Sequence, residues 1–163
     1  MYSLRSHQAG DMGLIIQRHA VLYAAEHAFT AAFEALVARI AADFLDKFDA
    51  AREKCWIAEA ADGRFLGCVM LVRSQDAGDL TTARLRLLLV EPEARGMGLG
   101  GRLIGECSRF ARAAGYTRIT LWTQRDLQAA RRLYGREGYE MVQEEEHEKV
   151  GRRVVGEEWL LVL

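Results

Sequence analysis

One proline, three cysteines and three lysines are all that 163 residues hold of those types. With Pro92 alone, and no stretch rich in glycine, serine or proline, nothing marks a linker. The length suits one domain over residues 1–163 rather than two. Cys55, Cys68 and Cys107 are odd in number and widely spaced, without a CxxC pair or a Cys/His cluster at zinc-ligand spacing. They are expected as reduced core thiols of a cytoplasmic protein. No run approaches the roughly 20 consecutive apolar residues that span a bilayer. The start, MYSLRSHQAGDMG, lacks the basic head and apolar run of a secretory leader, so no membrane partner is expected. The net charge of −1 lacks the basic excess of a nucleic-acid binder, which excludes that partner too. Internal repeats and low-complexity tracts are missing.

What is present belongs to a soluble globular chain: half the residues are apolar and 28% are charged. Arginine far outnumbers Lys47, Lys54 and Lys149, and alanine is abundant, which points to a high-GC bacterial source.

The hydrophobic spacing predicts a strand over residues 2–8, then a turn and N-cap at Gly10-Asp11. Ile15, His19, Leu22, Tyr23 and Glu26 recur at helical spacing. A second helix follows Thr30, with Phe33, Leu36, Val37, Ile40, Phe44 and Leu45 as its stripe. Cys55–Ala60 and Phe65–Val72 read as strands joined at Asp62-Gly63, a hairpin turn. After a loop over 74–81, Ala83–Val90 is the most strand-like run. A glycine-rich turn leads into a helix over 99–114, ended by Gly115. Arg118–Thr123 is a strand, Leu127–Arg136 a short helix, and strands near 139–143 and 157–163 complete the chain. The acidic run Glu144–Glu146 reads as a solvated strand end. The order is that of an α/β domain with a mixed sheet.

The turn Glu91-Pro92-Glu93-Ala94-Arg95-Gly96-Met97-Gly98-Leu99-Gly100-Gly101 carries most of the chemistry. Its glycines admit positive φ and clear space for a ligand. A helix begins there, with unpartnered N–H groups and the positive end of its dipole. Such a place binds phosphate, and Arg95 adds a fixed charge. Gly96, Gly98 and Gly101 satisfy GxGxxG, but the turn falls mid-chain and no acid stands about 20 residues on, as a dinucleotide site requires. No lysine follows the glycines, so a P-loop is excluded as well.

Arg95-Gly96-Met97-Gly98-Leu99-Gly100 is also an RxxGxG preceded by a strand and a proline. That segment resembles motif A of the GNAT superfamily of acetyl-CoA-dependent N-acetyltransferases. The likeness covers nearly the whole chain. LRLLLVEPEARGMGLGGRLIGECSRFARAAGYTRITLWTQ, AARRLYGREGYE and VGEEWLLVL look like the acetyltransferase half of bacterial MarR–GNAT fusion proteins. The winged-helix half of those fusions has no counterpart here, so DNA binding is not carried over.

The resemblance implies the GNAT fold: a mixed sheet of about seven strands, splayed after the fourth at Val90, with about four helices. It implies acetyl-CoA as co-substrate and no metal. His19 and His27 lack the carboxylate partner that a ligand set would need. The pyrophosphate would be held by Arg95, Gly96, Met97, Gly98, Leu99, Gly100 and Gly101. The pantetheine arm would bond the main chain of Leu88, Leu89 and Val90, one N–H of which would polarise the thioester carbonyl. Gln124 joins the coenzyme contacts, although relatives commonly carry Asn there. Tyr134, in Leu133-Tyr134, matches the tyrosine that family members use to protonate the leaving thiolate.

Acetyl transfer needs a neutral amine. With a pKa of about 10.4, an amine is neutral at pH 7 roughly once in 2,500 molecules, a barrier of about 4.6 kcal/mol unless the site removes the proton. Glu26 is the candidate base, on one helical face with Tyr23 and His19; water is the other route. The acceptor is expected to be a small-molecule or amino-acid-like primary amine, and a homodimer is a possible partner state. Arg84 and Arg86 share a strand face and either attract a carboxylate-bearing acceptor or lie exposed. Two other functions fit the same motifs: a non-catalytic acyl-CoA-binding or sensing domain, and a protein-lysine acetyltransferase, which would need an acidic groove.

Overall fold

Alternate residues of the central strands belong to different cores, and this alternation builds the molecule on both sides of one sheet. The computed structural model describes residues 1–163. In chain order it contains β1 (Tyr2–Ser6), α1 (Asp11–His27), α2 (Ala31–Lys47), β2 (Lys54–Ala60), β3 (Phe65–Arg73), β4 (Thr82–Val90), α3 (Leu99–Ala113), β5 (Arg118–Gln124), α4 (Gln128–Arg136), β6 (Glu140–His147) and β7 (Val154–Val162). The strands form one sheet in the order β1-β2-β3-β4-β5-β7-β6. Only β4 and β5 are parallel, and α3 is the long crossover that a parallel pair needs.

Trp56, Ala58, Val69, Leu71, Ala83 and Leu85 pack with Leu99, Leu103, Ile104 and Cys107 of the α3 side. Their neighbours Cys55, Ile57, Cys68, Met70 and Val72 pack with Ile15 of α1 and Ala41 and Phe44 of α2. That is the strand period of two, read through a sheet covered on both faces. A third cluster, Phe29, Phe33, Val37, Val150 and Val154, ties the α1–α2 turn to the β6–β7 loop.

The elements follow the sequence pattern with shifted ends. β1 stops at Ser6, and β6 runs on to His147 through Glu144–Glu146. Gly10, at φ 92°, rather than Asp11, is the N-cap of α1. Asp11 is already helical, and its carboxylate accepts from the Gln8 N–H at 2.6 Å and from Arg5 at 2.7 Å.

In β4 the alternation breaks. Ala83 and Leu85 face the α3 core, yet Leu89, of the same parity, belongs to the α1/α2 core. Met70 pairs with Arg86 and Cys68 with Leu89, so Val69 opposes two residues, a β-bulge. Leu87 sits in it at φ 53°, a left-handed conformation that costs a residue with a side chain roughly 1–2 kcal/mol. The Cys68 thiol donates to the Leu87 carbonyl at 3.2 Å. Opposite the end of β4, a Cβ on Gly67 would stand 2.5 Å from the Leu89 carbonyl oxygen, so only glycine admits that approach.

The bulge also parts the sheet. β4 pairs with β5 from Thr82↔Arg118 to Leu85↔Leu121 and no further. The family resemblance implies a divergence after Val90; the structure begins it at Arg86, because the bulge bends β4 out of the ladder before the strand ends. Pro92–Ala94 then form a single 3₁₀ turn.

Candidate active site

Where β4 and β5 part, two cavities meet. The larger, ≈ 570 Å³, lies between α1, the end of β4, the glycine turn and α4. The smaller, ≈ 140 Å³, lies between the split strands, α1, α2 and α4. Tyr23, Leu88, Leu127 and Ala130 line both.

The larger cavity collects Leu88, Leu89, Val90, Arg95, Gly96, Gly98, Leu99, Gly100, Gly101 and Glu26. Met97 is the exception in the turn: its side chain is exposed and does not line the cavity. Gly98, at φ 75°, is the N-cap of α3; no side chain caps this helix, and its first turn holds no acid. The leading N–H groups and the helix dipole are therefore free for an anion. Gly96 and Gly98 have positive φ and open space where a Cβ would stand. Gly100 is different: a Cβ there would come 2.7 Å from Leu133 on α4. It brings α3 and α4 together as well as lining the cavity.

Arg95 donates to both carboxylate oxygens of Glu26, at 2.9 and 3.1 Å. Glu26 thus stands with the glycine turn, and its carboxylate does not reach the cavity that holds Tyr134. Arg18 grips Glu91 at 2.6 and 2.9 Å and pins α1 to the end of β4.

Tyr134 and Gln124 line the smaller cavity rather than the larger. Tyr134 is buried, packed near Tyr139 and Trp159. Burial raises its phenol pKa above the usual 10, nearby Tyr23 adds to this, and no protein group hydrogen-bonds the hydroxyl. Its helix is anchored by Arg131, which donates at 3.0 Å to the fully buried Glu157. Trp159 Nε1 donates to the same carboxylate oxygen.

Four further residues give this cavity its chemistry. Burial pushes the Tyr23 phenol up to about 12. Burial pushes the His19 imidazole down to about 4, so the ring is neutral at pH 7. Its Nδ1 lies 2.8 Å from the Ile15 carbonyl, which accepts only from an N–H; Nε2 therefore carries the lone pair, buried and without a partner. Arg84 and Arg86 do share the face toward this cavity, and neither lies fully exposed. Sequence periodicity sets Tyr23 and His19 beside Glu26 but gives no sign that α1 carries them over the split.

No group of three or more His, Cys, Asp or Glu side chains is placed to hold a metal ion. No helix is long and apolar enough to cross a membrane.

A sheet parted beside an uncapped helix, with a long cavity opening into a small one, defines the acyl-CoA N-acyltransferase class of α/β folds. The family model described as Acetyltransferase (GNAT) family matches residues 18–139, well over half of the chain. The chain belongs to this family and is an acetyltransferase of the GNAT type, a family that uses acetyl-CoA.

Solved structures share the fold at low identity. A GNAT-family acetyltransferase from Streptococcus pneumoniae is 18% identical with a TM-score of 0.73, covering 100% of both chains. YncA from Salmonella typhimurium, a proposed acetyltransferase solved with its cofactor acetyl-CoA, is 20% identical with a TM-score of 0.73, over 100% of this chain and 94% of that one. A ribosomal-protein-alanine N-acetyltransferase from Brucella melitensis is 17% identical with a TM-score of 0.77, over 99% of each chain. No curated protein sequence matches the chain.

Proposed function

We propose that the chain moves the acetyl group of acetyl-CoA to the primary amine of a small, amino-acid-like acceptor, by direct attack with both substrates bound. The observation that carries this reading is the junction of the two cavities at Tyr23 and Leu88, where β4 leaves β5. A long ligand in the larger cavity can present its tip to a small one in the other.

Acetyl-CoA supplies the acyl group already activated as a thioester. The amides of residues 95–101, at the uncapped start of α3, suit its pyrophosphate, with Arg95 as counter-charge. The main chain of Leu88, Leu89 and Val90, unpaired on the β5 side, suits the amides of the pantetheine arm. Gln124, in the smaller cavity, is assigned to the acyl end of the coenzyme.

Tyr134 is the proton donor to the departing thiolate. Its raised pKa keeps the phenol protonated throughout the physiological range. So weak an acid gives little to a thiolate in water, where the thiol pKa is near 8.5. In a closed site desolvation raises the thiolate's basicity as well, and a hydrogen bond from the phenol then stabilises the developing charge. Glu26 stands outside the acceptor cavity, so as general base it would take the amine proton through water, after a pyrophosphate bound to Arg95 has released it.

A lysine-bearing basic peptide is disfavoured as acceptor, because no carboxylate lines the smaller cavity. The three free, buried cysteines support a reducing, cytoplasmic setting. The likeness over residues 85–124 supports kinship with the bacterial fusion-type members of the family. A homodimer is proposed as a partner state, through a surface other than the edge strand β6, whose Glu140, Glu144, Glu145 and Glu146 would repel a second copy; sedimentation would test it.

Thiol release from acetyl-CoA, followed with a panel of primary amines and product mass spectrometry, tests the function. One acetylated amine per thiol released is expected. Tight acetyl-CoA binding without turnover on any amine would identify a coenzyme-binding module instead.

A further inference from the structure

Two arginines line the smaller cavity, and they differ in one respect. Arg84 is held by Glu158 at 2.6 and 3.3 Å and touches the Thr120 hydroxyl at 3.3 Å. Arg86 has no such partner. Asp43 and Glu158 act on it only through space, and its Nε is buried without a hydrogen bond. An unpaired donor on a buried charge is unfavourable unless something outside the chain completes it.

We infer that Arg86 is the anchor for a carboxylate on the acceptor, so that the substrate class is a small amino acid with a free carboxylate. This rests on the amine-acetyltransferase reading above.

Four observations support the assignment. The cavity is lined by Arg84, Arg86 and the neutral His19, and by no acid, so its field favours an anion. The depression on the other side of Arg86 sets Asp43, Glu53, Asp76 and Asp79 against only Lys47 and Arg73, so its balance is acidic and disfavours an anion. A carboxylate therefore meets Arg86 from the cavity side, where a guanidinium can grip both oxygens. Arg86 also precedes Leu88 by two residues, about 6.6 Å of extended strand before the bulge shortens it. Both residues line this cavity, so a carboxylate held by Arg86 leaves the amine of a small acceptor on the side of Leu88. Finally, Phe33, Leu87 and Trp122 add apolar wall beside Thr123 and Gln124, and ≈ 140 Å³ suits a compact acceptor.

The test compares L-amino acids with their amides and decarboxylated amines as acceptors. The free acids should be preferred by roughly 10- to 100-fold in kcat/KM, the range expected for a hydrogen-bonded charge. In Arg86→Met the acid-to-amide ratio should collapse toward one, chiefly through KM, and Arg86→Lys should restore part of it. Amides acetylated as well as acids by the unaltered protein overturn the inference, as does an Arg86→Met variant that keeps the acid preference. Calorimetry of amino acids titrated into CoA-saturated protein separates the two levels of the argument. If no amine turns over, the transferase reading fails, and the subsite is judged on binding alone. Binding of acids that Arg86→Met abolishes supports it; binding of no acid overturns it.

Discussion

The Arg95 guanidinium is clasped by both oxygens of Glu26, at 2.9 and 3.1 Å, beside the uncapped N-terminus of α3. A pyrophosphate arriving there competes with Glu26 for Arg95. Both side chains are a third to a half exposed, which limits the pair to a modest energy. Glu26→Gln should therefore tighten CoA binding by roughly two- to five-fold, and Arg95→Met should weaken it by about tenfold or more. Calorimetry at low and high salt checks both. If Glu26 also takes the amine proton, Glu26→Gln loses kcat while gaining affinity. A variant with unchanged turnover and tighter CoA would leave Glu26 as a partner of Arg95 only.

The glycine turn divides into two roles that different substitutions should separate. Gly98→Asp puts charge and a side chain where the helix dipole awaits an anion, and should weaken acetyl-CoA binding well over tenfold with the fold intact. Gly100→Ala instead meets Leu133. It should push aside the tip of the partly exposed Leu133 side chain, so stability should fall by no more than about 1 kcal/mol and CoA affinity far less than in Gly98→Asp. Binding and denaturation measured on both variants check the division. Undiminished CoA affinity in Gly98→Asp would remove the pyrophosphate from this turn.

The elements and the turn were legible because each rests on local chemistry: apolar runs joined at Asp62-Gly63 in β2 and β3, helical spacing in α1 to α3, glycines at the start of α3. The origin of the split was not, because Leu87 adopts a left-handed conformation without being glycine. Its trace is a lost alternation: Arg84 and Arg86 keep the period of two, and Leu87-Leu88-Leu89 abandons it. That trace can equally mark a fully buried strand, so the split appears only once β5 is seen to stop pairing at Leu121. Gly100 against Leu133, and Arg86 left alone while Arg84 finds Glu158, depend on elements distant in sequence. No local pattern encodes them. Tyr134 was legible through its family motif alone; helical spacing says only that it packs.

His19 links stability to pH. Its pKa is about 4 folded against 6.5 for an unperturbed ring, because burial disfavours the charged form. The stability it contributes is complete above pH 6.5 and is lost as pH falls from there to about 4, since only the unfolded chain takes up the proton in that window. The loss is of the order of 3 kcal/mol. His27 and His147, also lowered by burial but partly exposed, act in the same direction. Chemical denaturation at pH 7 and pH 4.5 should therefore show a marked drop that His19→Gln reduces. An equal drop in both proteins would mean that His19 titrates normally in the fold.

Tyr134→Phe isolates the proton. The ring near Tyr139 and Trp159 is kept, so α4 stays in place and only the hydroxyl is lost. If the phenol assists the departing thiolate, kcat should fall by about 10²–10⁴-fold with little change in CoA affinity. The deficit should shrink with a thioester of a more acidic thiol, which needs less assistance. Because burial raises the phenol pKa above 10, its ionisation should not reduce activity as pH climbs through 10 in the unaltered enzyme. A loss confined to KM would make Tyr134 a binding residue. Near-normal turnover when chemistry limits the rate would leave it as packing, and the proton would have to reach the sulfur from Tyr23 or from water.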